Sequence, residues 1–316
     1  LDEVQDKWIC GFWTRIGALL VDSLILGVIG VALGFFFEST FVQIGGWGKL
    51  IGFSIAMIYF GMMNSAMFNG QTFGKKAFKI KVVDASNQVI SVPKSMLRYS
   101  ILAVPFFVNG AQIHNDDLLT YLIYPFSILL FGGLFAIIYL YVFNRVTRQS
   151  LHDLVVGTYV VNVAASPKNM DKVWKLHLIF VSGVFIMTGL APAFVSNVDQ
   201  SEQFKSLLYT QEALNNILQV KYVGITDSTK KTMSTNAKTR ITTYVKASVY
   251  LNDNVVDDRA LAEKLAQVIA NTYPDSTDRN VIQVTLIYGY DIGIWSLWYR
   301  HNHLFNPIEV LFLEDD

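Results

Sequence analysis

With one cysteine, Cys10, in 316 residues, no intrachain disulfide can form and nothing staples this chain covalently. Charge is also scarce. Asp, Glu, Lys and Arg make up 16% of the residues, whereas an average soluble domain carries about a quarter. The 25 basic and 25 acidic residues cancel, and a net charge of zero excludes a nucleic-acid partner recruited by bulk positive charge. Reactive constellations are missing too: there is no nucleophile elbow and no zinc-protease helix, so neither an enzyme nor a cofactor is expected. Gly70-Gln-Thr-Phe-Gly-Lys-Lys76 fails as a phosphate loop. Three residues separate its glycines instead of four, and Lys76 stands where Ser or Thr would hold magnesium.

The chain has apolar length instead: 52% of it is hydrophobic and its mean hydropathy is +0.37. Five membrane segments are expected, over Ile16–Phe37, Leu50–Phe68, Met96–Val108, Leu118–Phe143 and Leu176–Phe194. The first, about 22 residues long, matches the thickness of a bilayer core, and it is too long and too acidic for a cleavable signal peptide. The third is short enough to be tilted or re-entrant. Pro125 and Gly132-Gly133 mark bends or close packing in the fourth, and Gly27, Gly30 and Gly34 read as packing glycines in the first.

Basic residues gather in two loops. One holds Lys75, Lys76, Lys79, Lys81, Lys94 and Arg98; the other holds Arg145, Arg148, Lys168, Lys172 and Lys175. Asp116, Asp117 and Glu38 fall in the turns between. The positive-inside rule then places the N-terminus in the cytoplasm and everything beyond Phe194 outside. Within the first basic loop, Phe78–Val83, a turn at Asp84–Asn87 and a return over Gln88–Val92 predict a β-hairpin across 78–92, with Thr158–Val163 as a third strand.

Beyond Phe194 the composition becomes that of a soluble domain. An amphipathic helix is expected over Gln203–Val220 and a polar linker over Thr226–Thr239. A strand follows over Ile241–Leu251, then a helix over Arg259–Tyr273 capped by Asp257 or Asp258. Val281–Tyr288 and Ile292–His303 complete a small antiparallel sheet. His301 and His303 share a strand face but lack a third metal ligand, so a packed pair is the plainer reading and no metal site is expected.

The feature that organises the first half is Arg15 with Asp22, seven residues apart and so on one helical face at different depths. A carboxylate there is costly against lipid and is expected to turn inward. Three pieces together resemble the RDD family of bacterial membrane proteins: Arg15 with Asp22; Gly70–Lys76 followed by Lys79–Asp84; and Arg148-Gln-Ser-Leu-His-Asp-Leu-Val-Val-Gly-Thr158. The likeness spans Trp8–Val163. It implies a helical module of the bacterial inner membrane whose signature residues are Arg15, Asp22 and Asp153, with Gly74, Lys75, Arg148 and His152 in support. It also implies transport, since cation/proton antiport has been proposed for some members.

Two chemistries fit that triad. In one, Asp22 exchanges a proton for a monovalent cation. In the other, Arg15 at the inner interface bonds Asp153, with Asp22 as a second partner, and ties the first helix to the end of the fourth, as buried ion triads often do. The clamp is the preferred reading. The whole is therefore an α-helical transmembrane bundle of about five helices (1–195) carrying a small soluble α+β domain with an antiparallel sheet (196–316), the latter periplasmic. Its expected role is that of a membrane-anchored subunit in contact with lipids. Its outer domain docks a protein partner or another copy of the chain, and antiport at Asp22 is the alternative.

Overall fold

A helix that points its small and polar residues inward and its large apolar ones outward opens the structure, a computed structural model that describes residues 8–109, 116–166, 172–195, 201–234 and 237–312. In α1 (Phe12–Ile44) the buried face up to Phe37 is Arg15, Ala18, Asp22, Leu26, Gly30 and Gly34, while Leu20, Leu24, Val28 and Phe35 stand exposed. A water-soluble helix reverses that pattern. In lipid, which is as apolar as leucine, helix contacts fall to small and polar residues. The expected first span ends at Phe37, where the backbone leaves helical geometry (φ −128°, ψ 22°) before the helix resumes. Not every glycine serves packing: a Cβ at Gly27 would meet nothing within 4 Å.

After a tight turn at Gly45–Gly48 comes α2 (Lys49–Met63), followed by a short α3 (Phe73–Ala77), β1 (Ile80–Asp84) and α4 (Val92–Phe107), which packs along α2. The expected fourth segment is α5 (Asp116–Ser127), a π turn at Ile128–Gly132 shortly after Pro125, and α6 (Gly133–Phe143). Next come α7 (Leu151–Val156), β2 (Thr158–Asn162) and α8 (Lys175–Val195). A Cβ on Gly132 would stand 2.7 Å from the ring of Phe185 in α8, so the bare glycine lets these helices close up. Among the described residues three helical runs are long and apolar enough to cross a membrane: Phe12–Met63, Leu122–Phe143 and Lys175–Phe194. At 16 residues, α4 is shorter than such a run.

The expected hairpin over 78–92 is corrected. The Asp84 carboxylate accepts from the N–H groups of Ser86 (2.8 Å) and Gln88 (3.0 Å), which curls the chain, and Pro93 then opens α4. No return strand forms. Instead β1 pairs antiparallel with β2, Val82 opposite Val160, and Ile9 bridges Val161 on the other side of β2. Lys168 of the second basic loop lies outside the described residues.

The chain divides into two units, Leu1–Phe194 with Asp291–Ser296, and Val195–Tyr290 with Leu297–Asp316. The second is built from α9 (Glu202–Asn215), β3 (Val220–Ser234), β4 (Ala237–Leu251), α10 (Arg259–Thr272), β5 (Val281–Asp291), β6 (Ser296–Phe305) and α11 (Pro307–Leu311). The sheet runs β3-β4-β5-β6. It is mixed rather than antiparallel, because α10 crosses over between β4 and β5 and makes them parallel. The described residues of the polar linker expected at Thr226–Thr239 are strand instead: Lys230 faces Thr242 and Thr226 faces Lys246 in an antiparallel ladder with β4. Backbone hydrogen bonds of that kind need no apolar side chains.

Alternation along the strands puts Val223, Val245, Ala247, Val249, Val284 and Leu286 on one face, packed with Leu261, Leu265 and Ile269 of α10. Asp258 caps α10 by accepting from the N–H of Leu261 at 3.0 Å. At one edge Asp227 accepts from the Tyr273 hydroxyl (2.6 Å), from the Arg279 guanidinium (2.6 Å) and from Gln203 (3.1 Å). Burial raises its carboxyl, but the hydrogen bonds from Arg279 and Tyr273 outweigh that and hold it below the usual carboxylate range.

Candidate functional site: a divided charge network in the helical unit

Arg15 and Asp22 both enter the bundle interior from α1, 7% and 0% exposed, but they do not meet. Asp22 is held by neutral donors. The Tyr59 hydroxyl of α2 donates to one oxygen (2.7 Å), as does the N–H of Gly74 (2.8 Å), and the Thr72 hydroxyl donates to the other (2.6 Å). Thr72 is also the cap of α3, accepting from the N–H of Lys75 at 3.1 Å. The approach is close because residue 74 is glycine: a Cβ there would stand 2.0 Å from the Ala18 carbonyl oxygen. The carboxylate thus fastens the turn before β1 to α1 and α2 through charge-assisted hydrogen bonds.

Asp153 holds the other centre. The chain leaves α6 through Asn144, whose amide donates to Thr147 Oγ1 (2.7 Å) and the Gln149 carbonyl (2.9 Å). Ser150 then anchors the start of α7 by donating to the Ile137 carbonyl at 2.9 Å. So placed, Asp153 Oδ1 accepts from Arg98 Nε (2.9 Å), Arg98 Nη2 (2.7 Å) and Thr158 Oγ1 (3.1 Å). Its Oδ2 faces Arg15 Nη1 and His152 Nε2, each at 3.5 Å. Burial alone would raise this carboxyl, yet Arg98 and then Arg15 hold it well below the usual range. Burial drives His152 down to about 3 against the pull of Asp153, so the ring is neutral at neutral pH.

Arg15 makes its hydrogen bonds to the backbone: Nη1 donates to the Arg148 carbonyl and Nη2 to the Val160 carbonyl (3.3 Å). It therefore ties α1 to β2 and to the turn before α7, and Arg148 contributes a carbonyl held out by its left-handed backbone (φ 55°). Lys75 is the odd member. Its ammonium lies 5.9 Å from the centre of the Phe60 ring, and burial, followed by the neighbouring Arg98, lowers its pKa to about 8.

Sequence reasoning missed three of the partners, namely Arg98, Tyr59 and Thr72. Arg98 reads as a loop charge by the positive-inside pattern, although it lies inside the apolar stretch that begins at Met96; an arginine within such a stretch is itself the signal. Nothing in the sequence singles out Tyr59.

Between these centres lies a cavity of about 330 Å³, lined by Arg15, Asp22, Asn64, Lys75, Arg98, His152 and Asp153 and walled by apolar residues of α1, α4 and α6. In the other unit, His301 and His303 stack at 4.5 Å, His301 against Asp257 and His303 on the Val256 carbonyl. Among the described residues no group of three His, Cys, Asp or Glu side chains is placed to hold a metal.

Residues 9–157 match the model of the RDD family. No curated protein matches the chain significantly, nor does any solved structure.

Proposed function

Residues 9–157 of this membrane protein are an RDD-family module, and from that premise we propose that the chain is a membrane-anchored subunit. Its helical half is the fixed anchor, and its second unit docks a protein partner or another copy of the chain. The observation that carries this reading is the full engagement of both signature carboxylates. Asp22 has three donors, and Asp153 has Arg98 on one oxygen with Arg15 and His152 beside the other. A cation-exchanging carboxylate needs oxygens that a cation can reach, whereas these act as fasteners.

The docking surface belongs to the sheet face opposite α10. Tyr222 and Tyr250 sit 5.4 Å apart across β3 and β4, Trp298 meets Tyr250 edge-on at 5.7 Å, and Arg300 lies over Trp298 at 5.9 Å. Tyr, Trp and Arg dominate protein-interface hot spots. By the positive-inside rule this unit faces the extracytoplasmic side.

The test uses the full chain in mild detergent, with the mass of the particle and its co-purifying chains compared between wild type and Tyr250→Ser/Trp298→Ala. Loss of the larger assembly supports docking through this face. Identical assemblies overturn it. Antiport remains the second reading because Asp22 also lines the cavity. Asp22→Asn in sealed vesicles separates the two: proton movement driven by Na⁺, K⁺ or Li⁺ that the substitution abolishes would favour exchange.

A further inference from the structure

Several buried polar atoms without hydrogen-bond partners belong to residues around one cavity: Arg15 Nε, Asn64 Oδ1 and His152 Nδ1. The Arg15 and His152 side chains are each 6% exposed. Such atoms cost about 1–3 kcal/mol apiece when left unmet; they are shut off from the cavity as it stands, and a small turn of each side chain toward an occupant would satisfy them. One is a donor. The other two are acceptors, since neutral His152 keeps its proton on Nε2 toward Asp153.

The charge points the same way. Arg15, Lys75 and Arg98 line the cavity against Asp22 and Asp153, leaving one cation in excess. Asp153 takes Arg98 and Arg15, and Asp22 takes neutral donors, so the cation left without a carboxylate is Lys75, whose ammonium, among the described residues, meets only the Phe60 ring. Above this floor the walls are apolar, and their rim is open: Leu19, Phe106, Ile138 and Val142 are 41–52% exposed on the surface of a membrane protein. A largely apolar pocket with a cationic floor and a side opening has the shape of an amphiphile. Its volume of about 330 Å³ falls at the small end of ligand sites, about 300–1,000 Å³.

We propose that this cavity binds the headgroup of an anionic phospholipid that carries free hydroxyls. Its phosphate accepts from Lys75, small side-chain turns bring Arg15 Nε to the phosphate and His152 Nδ1 and Asn64 Oδ1 to its hydroxyls, and its acyl chains lie along Leu19, Phe106, Ile138 and Val142. A glycerol phosphodiester headgroup supplies both functions. The lipid satisfies the orphaned atoms and neutralises the surplus charge, which a sodium or potassium ion could not do. This reading stands apart from the docking proposal and needs only that the helical unit lies in a bilayer.

The experiment delipidates the purified full chain in detergent and adds phosphatidylglycerol, phosphatidylcholine or inorganic phosphate. Binding is read by native mass spectrometry and by thermal unfolding. Phosphatidylglycerol should bind at unit stoichiometry and raise the melting temperature, while phosphatidylcholine and inorganic phosphate should not. Lys75→Gln should weaken that binding about tenfold, the scale of one charge-assisted hydrogen bond, and Ile138→Trp should block it. Lys76→Gln, an exposed neighbour outside the cavity, should leave it unchanged. Lipid-free melts of each variant establish that it is folded. Equal binding of phosphatidylcholine, or an equal shift with inorganic phosphate, overturns the proposal. So does phosphatidylglycerol binding that Lys75→Gln and Ile138→Trp both leave intact.

Discussion

Arg98 Nη2 lies 2.7 Å from Asp153 Oδ1, closer than Arg15 comes to the same carboxylate, and both partners are buried. The main ion pair of the helical unit therefore joins α4 to α7, and Arg15 serves chiefly as a backbone tie. Removing one partner of a buried pair strands the other charge, at a cost of about 3–5 kcal/mol. Arg98→Ala should lower the thermal stability and folding yield of the detergent-solubilised chain more than Arg15→Ala does. Equal or reversed effects would reassign the main partner of Asp153 to Arg15.

Gly74→Ala places a methyl group against the Ala18 carbonyl oxygen and the Asp22 carboxylate, at 2.0 and 2.9 Å. Backbone on one side and a fixed carboxylate on the other leave no soft neighbour to yield. This single methyl should sharply reduce the yield of folded protein. Gly27→Ala, with open space around its Cβ, should be neutral by the same measurement.

Asp22→Asn keeps the shape but sets an amide NH₂ among groups that all donate. One or two of the hydrogen bonds from Tyr59, Thr72 and Gly74 must then be lost, a destabilisation of about 1–3 kcal/mol. Tyr59→Phe removes a single donor and should cost less. Thermal melts of both variants provide the check.

Acid should act through His152 before it acts through Asp153. The folded pKa of His152 is about 3, below an unfolded value of about 6.5, so its share of stability is complete above pH ~6.5 and is lost as the pH falls toward 3. Asp153 has the same sign lower down: with its pKa depressed, its contribution is complete above the unfolded value of about 3.9 and disappears on further acidification. His152→Gln should therefore flatten the stability profile of the helical unit between pH ~6.5 and 4 while keeping the steeper acid limb. A parallel slope in the variant would contradict a buried neutral ring.

In the second unit, Tyr273→Phe deletes the hydroxyl that donates to Asp227 from a fully buried ring. A loss of about 1 kcal/mol is expected, confined to the unfolding of that unit. Detergent-stable helical signal at the temperature where near-ultraviolet signal from the sheet unit is lost would show the confinement.

How much of this was readable beforehand depended on whether a residue's role is local. The helices were legible because lipid forces long apolar runs, and α10 because Asp258 and the Leu261, Leu265 and Ile269 stripe lie within one helix. The meeting of Arg15 with Asp153 could be read from topology, since the chain returns to the same end of the bundle before Asp153. Asp22 was harder. Its three donors come from positions that look ordinary, a tyrosine on an apolar helix, a threonine in a turn and a bare amide, and only folding makes them converge. β3 was half hidden for another reason. Thr229, Lys230 and Lys231 carry no apolar alternation, and their strand is defined by the ladder with β4 rather than by side-chain burial. The hairpin at 78–92 misled because local turn chemistry at Asp84 was real, but the better partner for β1 stood far along the chain.

The small sheet of the helical unit has β2 at its centre, with β1 on one side and Ile9 on the other. Cys10 N–H donates to the Val160 carbonyl and Asn162 N–H to that of Trp8, so the beginning of the module is sewn to its end. During synthesis the central strand is the last of the three to emerge. Until it does, Trp8–Cys10 and β1 have no ladder to join, and Arg15 lacks the Val160 carbonyl. The helices that precede β2 are then held by the Asp22 donors and the Arg98–Asp153 pair, and one late segment adds the ties to β1 and to Trp8–Cys10. A chain halted before Thr158 should stay inserted with its small sheet unmade.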